Sequence, residues 1–126
     1  MKYLLDTQLL LWWLNDDSGL SPRAREVIAN PGNMIYVSAV TLWEIRLKQS
    51  LGKLALPPSF DKAVETEAFE PLPLTPAHTS GLASLPWHHR DPFDRMLLAQ
   101  AVSEGLTLLT ADRALAAYGS GVELAV

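Results

Sequence analysis

The chain has 126 residues, 48% hydrophobic and 19% charged; it is long enough for one real core and too well balanced to be disordered. It contains no cysteine, which excludes disulfides, thiolate nucleophiles and cysteine-based zinc sites and suits a reducing cytoplasm. A net charge of −4 and a pI near 5.2 argue against a protein held on nucleic acid by bulk positive charge, and are compatible with carboxylates clustered to hold divalent cations.

Lys2-Tyr3-Leu4-Leu5 reads as a short buried strand ending at Asp6. Thr7 then opens a helix through about Asn15. Its run Leu9–Leu14 is too short to cross a bilayer, and no segment resembles a signal peptide or a membrane span. Asn15–Gly19 is a turn. Ser21-Pro22 supplies an N-cap and a first-position proline for a helix to Ala29, which Asn30–Asn33 ends. Met34-Ile35-Tyr36-Val37 is a second strand, and Ser38 caps a longer helix to about Gln49. On that helix Val40, Trp43 and Leu47 recur at the spacing of core-facing positions. Glu44, four residues after Val40, shares their stripe, and a glutamate there needs a partner.

Leu51–Pro58 is a loop, and Ser59 caps a helix to about Phe69. The two prolines of Glu70–Leu74 suggest a strand at a sheet edge. Thr75-Pro76 starts a helix to about Ser84, and Leu85–Arg90 is a loop. Asp91 and Pro92 are the cap and first residue of a helix ending at Glu104-Gly105, with Asp94 in its first turn. Leu106–Thr110 is a strand that stops at Ala111-Asp112, a short helix runs from there to Tyr118, and Val122–Val126 adds a last strand. This alternation predicts one α/β domain over residues 1–126, with a parallel sheet and helices on both faces.

Four acids fall at informative places. Asp6 and Asp112 follow the carboxyl ends of the first and fourth strands, Glu44 lies on the helix after the second, and Asp94 opens the helix leading into the fourth. Sites in doubly wound sheets form at that edge, where strand order reverses. Clustered carboxylates repel unless a cation joins them, and an all-oxygen ligand set selects Mg2+ or Mn2+. Such ions suit hydrolysis of a phosphodiester without a covalent intermediate.

Taken singly, each acid is explained as well by capping or a turn, and Asp91 reads more readily as a cap than as a ligand. Thr7, Ser38 and Thr110 carry hydroxyls beside the expected cleft, where each either caps or holds a metal-bound water or phosphate oxygen. Arg90 and Arg95, like Arg46 and Lys48, either grip a phosphate backbone or offset the negative charge. His88-His89 reads as a solvated loop, since adjacent side chains point apart. Trp12, Trp13 and Trp43 read as core or dimer contacts, and Trp87 as the better base-stacking candidate.

Four blocks together resemble the PIN-domain family: Leu4–Thr7, Ser38–Ile45, His89–Ala101 and Leu109–Asp112. More narrowly they look like the VapC-type toxins of type II toxin–antitoxin pairs. The resemblance implies a three-layer α/β/α fold with a mostly parallel sheet, and an endoribonuclease that needs Mg2+ or Mn2+. It also implies an RNA substrate, a homodimer, and a cognate antitoxin whose C-terminal segment plugs the site. Asp6, Glu44, Asp94 and Asp112 match the family's acidic quartet, which is intact. Asp91 matches an acid frequent in the subgroup, and Thr110 a hydroxyl residue two before the last acid.

Rival readings fail on particular residues. A haloacid-dehalogenase phosphatase needs an acid at Gln8, and a receiver domain needs an acid pair after the first strand, where Thr7 stands. A module of the same fold that binds RNA without cutting it is the alternative function.

Overall fold

The computed structural model describes residues 1–126. Apolar residues on both sides of each central strand dictate helices on both sheet faces. In chain order the elements are β1 (Lys2–Leu5), α1 (Thr7–Leu14), α2 (Pro22–Ala29), β2 (Met34–Ser38), α3 (Ala39–Ser50), α4 (Phe60–Thr66) and β3 (Glu70–Leu72). Then come α5 (Pro76–Gly81), a 3-10 turn (Leu82–Ser84), α6 (Pro92–Glu104), β4 (Thr107–Thr110), a second 3-10 segment (Arg113–Tyr118) and β5 (Val122–Leu124). The sheet has the order β3-β2-β1-β4-β5, and every pair is parallel.

Alternating strand residues feed two cores. Tyr3, Leu5, Ile35, Val37 and Leu109 pack on α1, α2 and Phe60 at the start of α4. Leu4 and Leu108 point the other way, against Leu97, Leu98 and Ala101 of α6. The three layers expected from sequence are present, and β3 lies at the sheet edge, as expected from Pro71 within it and Pro73 just after it. No helix is long and apolar enough to cross a membrane.

Three local expectations change. On α3 the buried residues are Val40, Thr41, Glu44 and Ile45, so the stripe is rotated from the expected one. Trp43 is 59% exposed and Leu47 is also exposed; Trp43 instead packs edge-on against Phe93, with ring centroids 4.9 Å apart. The apolar reading was misled because half of the buried stripe is polar. The helix after Ser59 ends at Thr66 rather than Phe69, because Glu67 is extended and lets Phe69 reach the core. The helix from Pro76 stops at Gly81 and tightens into the 3-10 turn.

One buried polar chain ties α6 to the sheet. Ser38 Oγ accepts from Val40 N and donates to Gln100 Oε1, and Gln100 Nε2 donates to the Pro73 carbonyl at 3.4 Å. Ser38 is fully buried and does not line the acidic cleft described below; its hydroxyl is a cap and a tether. Ser38→Ala removes the cap and orphans the Gln100 oxygen, so it should destabilise the protein by about 2 kcal/mol. Urea unfolding should show a lower midpoint with an unchanged slope.

Candidate active site

Strand order reverses between β1 and β4, which are direct neighbours with Leu5 opposite Leu109. Asp6 follows β1 and Asp112 follows β4, so both stand at the same carboxyl edge. α3 brings Glu44 to this place, and the first turn of α6 brings Asp94. Asp6, Glu44, Asp91, Asp94 and Asp112 line one cleft of about 360 Å3, together with Thr7, Gln8, Lys48 and Lys53.

Most of these acids also hold up the fold. Asp6 Oδ1 caps α1 by accepting from Leu9 N at 2.8 Å, while its Oδ2 accepts from Thr110 Oγ1. Glu44 is buried, with Oε1 accepting from Thr7 Oγ1 at 2.7 Å and Oε2 paired with the Lys48 ammonium. Asp91 Oδ1 accepts from Phe93 N at 2.8 Å and Asp94 N at 3.2 Å, so it caps α6 as the sequence suggested. Asp112 Oδ1 accepts from Ala114 N at 3.0 Å, and its Oδ2 lies 2.8 Å from His89 Nε2. Asp94 is different. It accepts no hydrogen bond, and its Oδ2 lies 3.5 Å from His89 Nε2.

Electrostatics follow from this geometry. Burial, with Asp91 and then Asp6 adding repulsion, pushes the Asp94 carboxyl up to about 7. Burial also raises the Asp6 carboxyl, although the Thr110 hydroxyl and the Leu9 amide hold it back. The Lys48 ammonium is held above its ordinary range, first by its bond to Glu44 and more weakly by Asp91 and Asp94. One ligating atom each from His89, Asp94 and Asp112 lie within 4.8 Å of one another. That trio is one imidazole and two carboxylates, and Asp6 and Glu44 line the same cleft beside it; the carboxylate oxygens are hard donors of the kind that suit Mg2+ or Mn2+.

Other expected residues fall elsewhere. Arg95 is buried, with its guanidinium 3.7 Å from the centroid of the Trp87 ring. Its Nη1 donates to the Pro86 carbonyl at 2.9 Å and Tyr118 Oη at 3.2 Å. It therefore anchors the preceding loop and is not free to grip a phosphate backbone, a role its position beside two acids had suggested. Arg90 is exposed and does not line the cleft, while Arg46 pairs with Asp61 on the surface. Trp87 stays 76% exposed, and Trp12 and Trp13 pack against the core.

Sequence reasoning missed two residues. His89 had been read as solvated loop, yet its side chain is only 16% exposed beside Asp94 and Asp112. Its place two residues before a helix cap was the available signal, because an imidazole there reaches the cap's own amide, as Asp91 N to His89 Nδ1 at 3.1 Å demonstrates. Lys53, in the turn just after α3, carries no such signal; its amide bond to the Lys48 carbonyl sets it at the cleft.

The raised Asp94 carboxyl has a defined effect on stability. Its folded pKa of about 7 lies above the ordinary aspartate value of 3.8, so the folded state binds the extra proton between those limits. Metal-free protein should therefore lose stability as pH rises from about 4 to about 7, by at most roughly 4 kcal/mol at 1.36 kcal/mol per unit. Asp94→Asn should remove most of that slope. Urea unfolding in EDTA at about pH 5 and about pH 8 measures the difference for both proteins.

Comparison with known proteins agrees with this arrangement. The family model described as PIN domain matches residues 3–120. The chain is 28% identical over 118 residues to ribonuclease VapC22 of Mycobacterium tuberculosis, spanning 91% of this chain and 90% of the relative. Among solved structures, VapBC2 of Rickettsia felis, bound to a DNA fragment from its promoter, aligns with a TM-score of 0.72 at 17% identity, covering 98% of this chain and 97% of that one. VapBC-1 of nontypeable Haemophilus influenzae aligns with a TM-score of 0.66 at 17% identity, covering 98% of each chain. With most of its length matched by the family model and the same fold in those structures, the chain belongs to the PIN-domain family.

Proposed function

We propose that this protein is a metal-dependent endoribonuclease that hydrolyses RNA phosphodiester bonds as the toxin of a VapC-type toxin–antitoxin pair. The observation that carries this reading is the convergence of Asp6, Glu44, Asp94 and Asp112 at the strand switch point, with Asp94 left without a hydrogen-bond donor. Its kinship with a protein called a ribonuclease supports RNA as the substrate.

Asp6, Asp94 and Asp112 would hold Mg2+ or Mn2+, and Glu44 completes the set as a ligand or as the base that orients water. Bound there, the ion would draw phosphate oxygens, make a water more acidic and stabilise in-line attack at phosphorus. Glu44 is fixed between Thr7 and Lys48, an oriented carboxylate that would serve as ligand or as proton acceptor for the attacking water. Thr7 and Thr110 hold Glu44 and Asp6 in place through their hydroxyls. Lys53, on the wall of the same cleft, is placed to contact the phosphate backbone, while Lys48, held by Glu44, offsets part of the cleft's negative charge.

Partners follow from the same reading. Leu11 and Leu54 line the acidic cleft and continue into an apolar groove with Trp12, Leu56 and Phe60. A cognate antitoxin chain is the natural occupant, since the fold's solved neighbours are VapBC proteins. The exposed Trp43 and Leu47 on α3 and Leu51 at its C-cap suit a homodimer contact, and a cytoplasmic location suits a cysteine-free chain that meets RNA.

The test is cleavage of a mixed RNA substrate by purified protein with Mg2+ or Mn2+, with EDTA, and with Asp94→Asn in parallel. Cutting should occur only for the parent protein with metal. Asp94→Asn should slow it by at least about 100-fold, more than loss of an outer-shell partner costs, while remaining folded. Cutting that persists in EDTA, or an Asp94→Asn protein as fast as its parent, contradicts the mechanism. Metal-independent RNA binding without cutting would favour a sequestering module.

A further inference from the structure

His89 lies against the carboxylates, and the metal centre proposed above leaves its purpose open. An imidazole beside two carboxylates suggests a nitrogen ligand, and nitrogen would bias the site toward softer ions. The hydrogen bonds point elsewhere. Asp91 N donates to His89 Nδ1 at 3.1 Å, so Nδ1 carries no hydrogen and the ring's N–H is at Nε2. That Nε2 faces Asp112 Oδ2 at 2.8 Å and Asp94 Oδ2 at 3.5 Å. To ligate through Nε2 the ring would have to lose its bond to Asp91 and move its proton to Nδ1, or become an imidazolate.

The loop gives it little room to do so. His89 N donates to Tyr118 Oη at 3.1 Å, and Tyr118 Oη donates to the Pro86 carbonyl at 2.8 Å. Arg95 binds the same carbonyl and hydroxyl and stacks on Trp87. Both ends of the segment 86–89 are thus tied to one tyrosine, which is itself set by the turn following Asp112.

We infer that His89 is a positioning residue, a fixed N–H donor that aims Asp112 and keeps Asp94 beside it without itself binding the ion. The inference rests on the metal centre of the proposed function and adds a constraint to it: the ion sees oxygen only. Asp112, whose side chain is 41% exposed, is otherwise held only at Oδ1, by the Ala114 amide, so His89 is what fixes Oδ2. Loss of an outer-shell donor of this kind weakens metal affinity by about 10- to 100-fold.

Mn2+ is the probe, because its electron spin detects a directly bonded nitrogen. Mn2+ bound to the parent protein should show no nitrogen coupling of coordinated strength in pulsed electron paramagnetic resonance. Titration followed by the same resonance should give about 10-fold or weaker affinity for His89→Leu, with most of the loss recovered in His89→Gln, whose amide can donate to Asp112. Coordinated nitrogen in the parent would overturn the inference by making His89 a ligand, and that measurement requires no variant to fold. Unchanged affinity in a folded His89→Leu would overturn it as well. Absence of any Mn2+ binding by the parent would instead remove the metal centre, a failure distinct from that of His89.

Discussion

Carboxylates held close together repel, and this repulsion is what the rest of the structure has to accommodate. Asp94 and Asp112 present oxygens within 4.8 Å of a common set, and two full charges at such a distance cost about 3 kcal/mol at an effective dielectric of about 20. The chain meets most of that cost with donors. Asp6 has the Leu9 amide and the Thr110 hydroxyl, Glu44 has Thr7 and Lys48, and Asp112 has the Ala114 amide and His89. Only Asp94 is left without one, and burial, then Asp91 and Asp6, drives its carboxyl up to about 7; burial raises the Asp6 carboxyl too, in spite of its donors. The remaining deficit is one that a bound cation removes.

Those donors are not separate additions to the fold. A parallel strand ending at a sheet edge and turning into a helix requires a cap, and aspartate is among the best. Asp6 and Asp112 cap with one oxygen and turn the other toward the centre, while Asp91 caps α6 so that Asp94 enters in its first turn. Stability and site therefore draw on the same side chains. Capping accounts for Asp6, Asp91 and Asp112 one at a time, but not for their meeting with Glu44 and Asp94 in one cleft.

What sequence reveals divides along that line. Caps, first-position prolines and short apolar strands are local, and Ser21-Pro22, Asp91-Pro92 and Gly105 stand where local chemistry put them. Adjacency of β1 and β4, on which the cleft depends, came from a rule about strand order. On α3 the spacing rightly put Val40 and Glu44 on one buried stripe, but that stripe continues through Thr41 and Ile45 and leaves Trp43 and Leu47 exposed; a buried threonine such as Thr41, bonded to Thr7, gives no apolar signal in a one-dimensional pattern. Arg95 and the backbone of His89 are fixed by a loop closed through Tyr118, more than twenty residues away, a contact no local pattern encodes; only the bond of His89 to the Asp91 amide is local. Charge next to charge suggested a ligand-gripping Arg95, whereas burial against Trp87 gave it a structural task.

The central claim is that the cleft at the β1–β4 edge is a cation site built from oxygen. Crystals of the parent protein grown with Mn2+, with anomalous scattering recorded near the manganese edge, test it most directly. The account predicts an anomalous peak bounded by carboxylate oxygens of Asp6, Asp94 and Asp112 at about 2.0–2.3 Å, distances usual for a hard divalent ion. A fully occupied ion elsewhere, or a cleft that stays without manganese at saturating concentration, would contradict it.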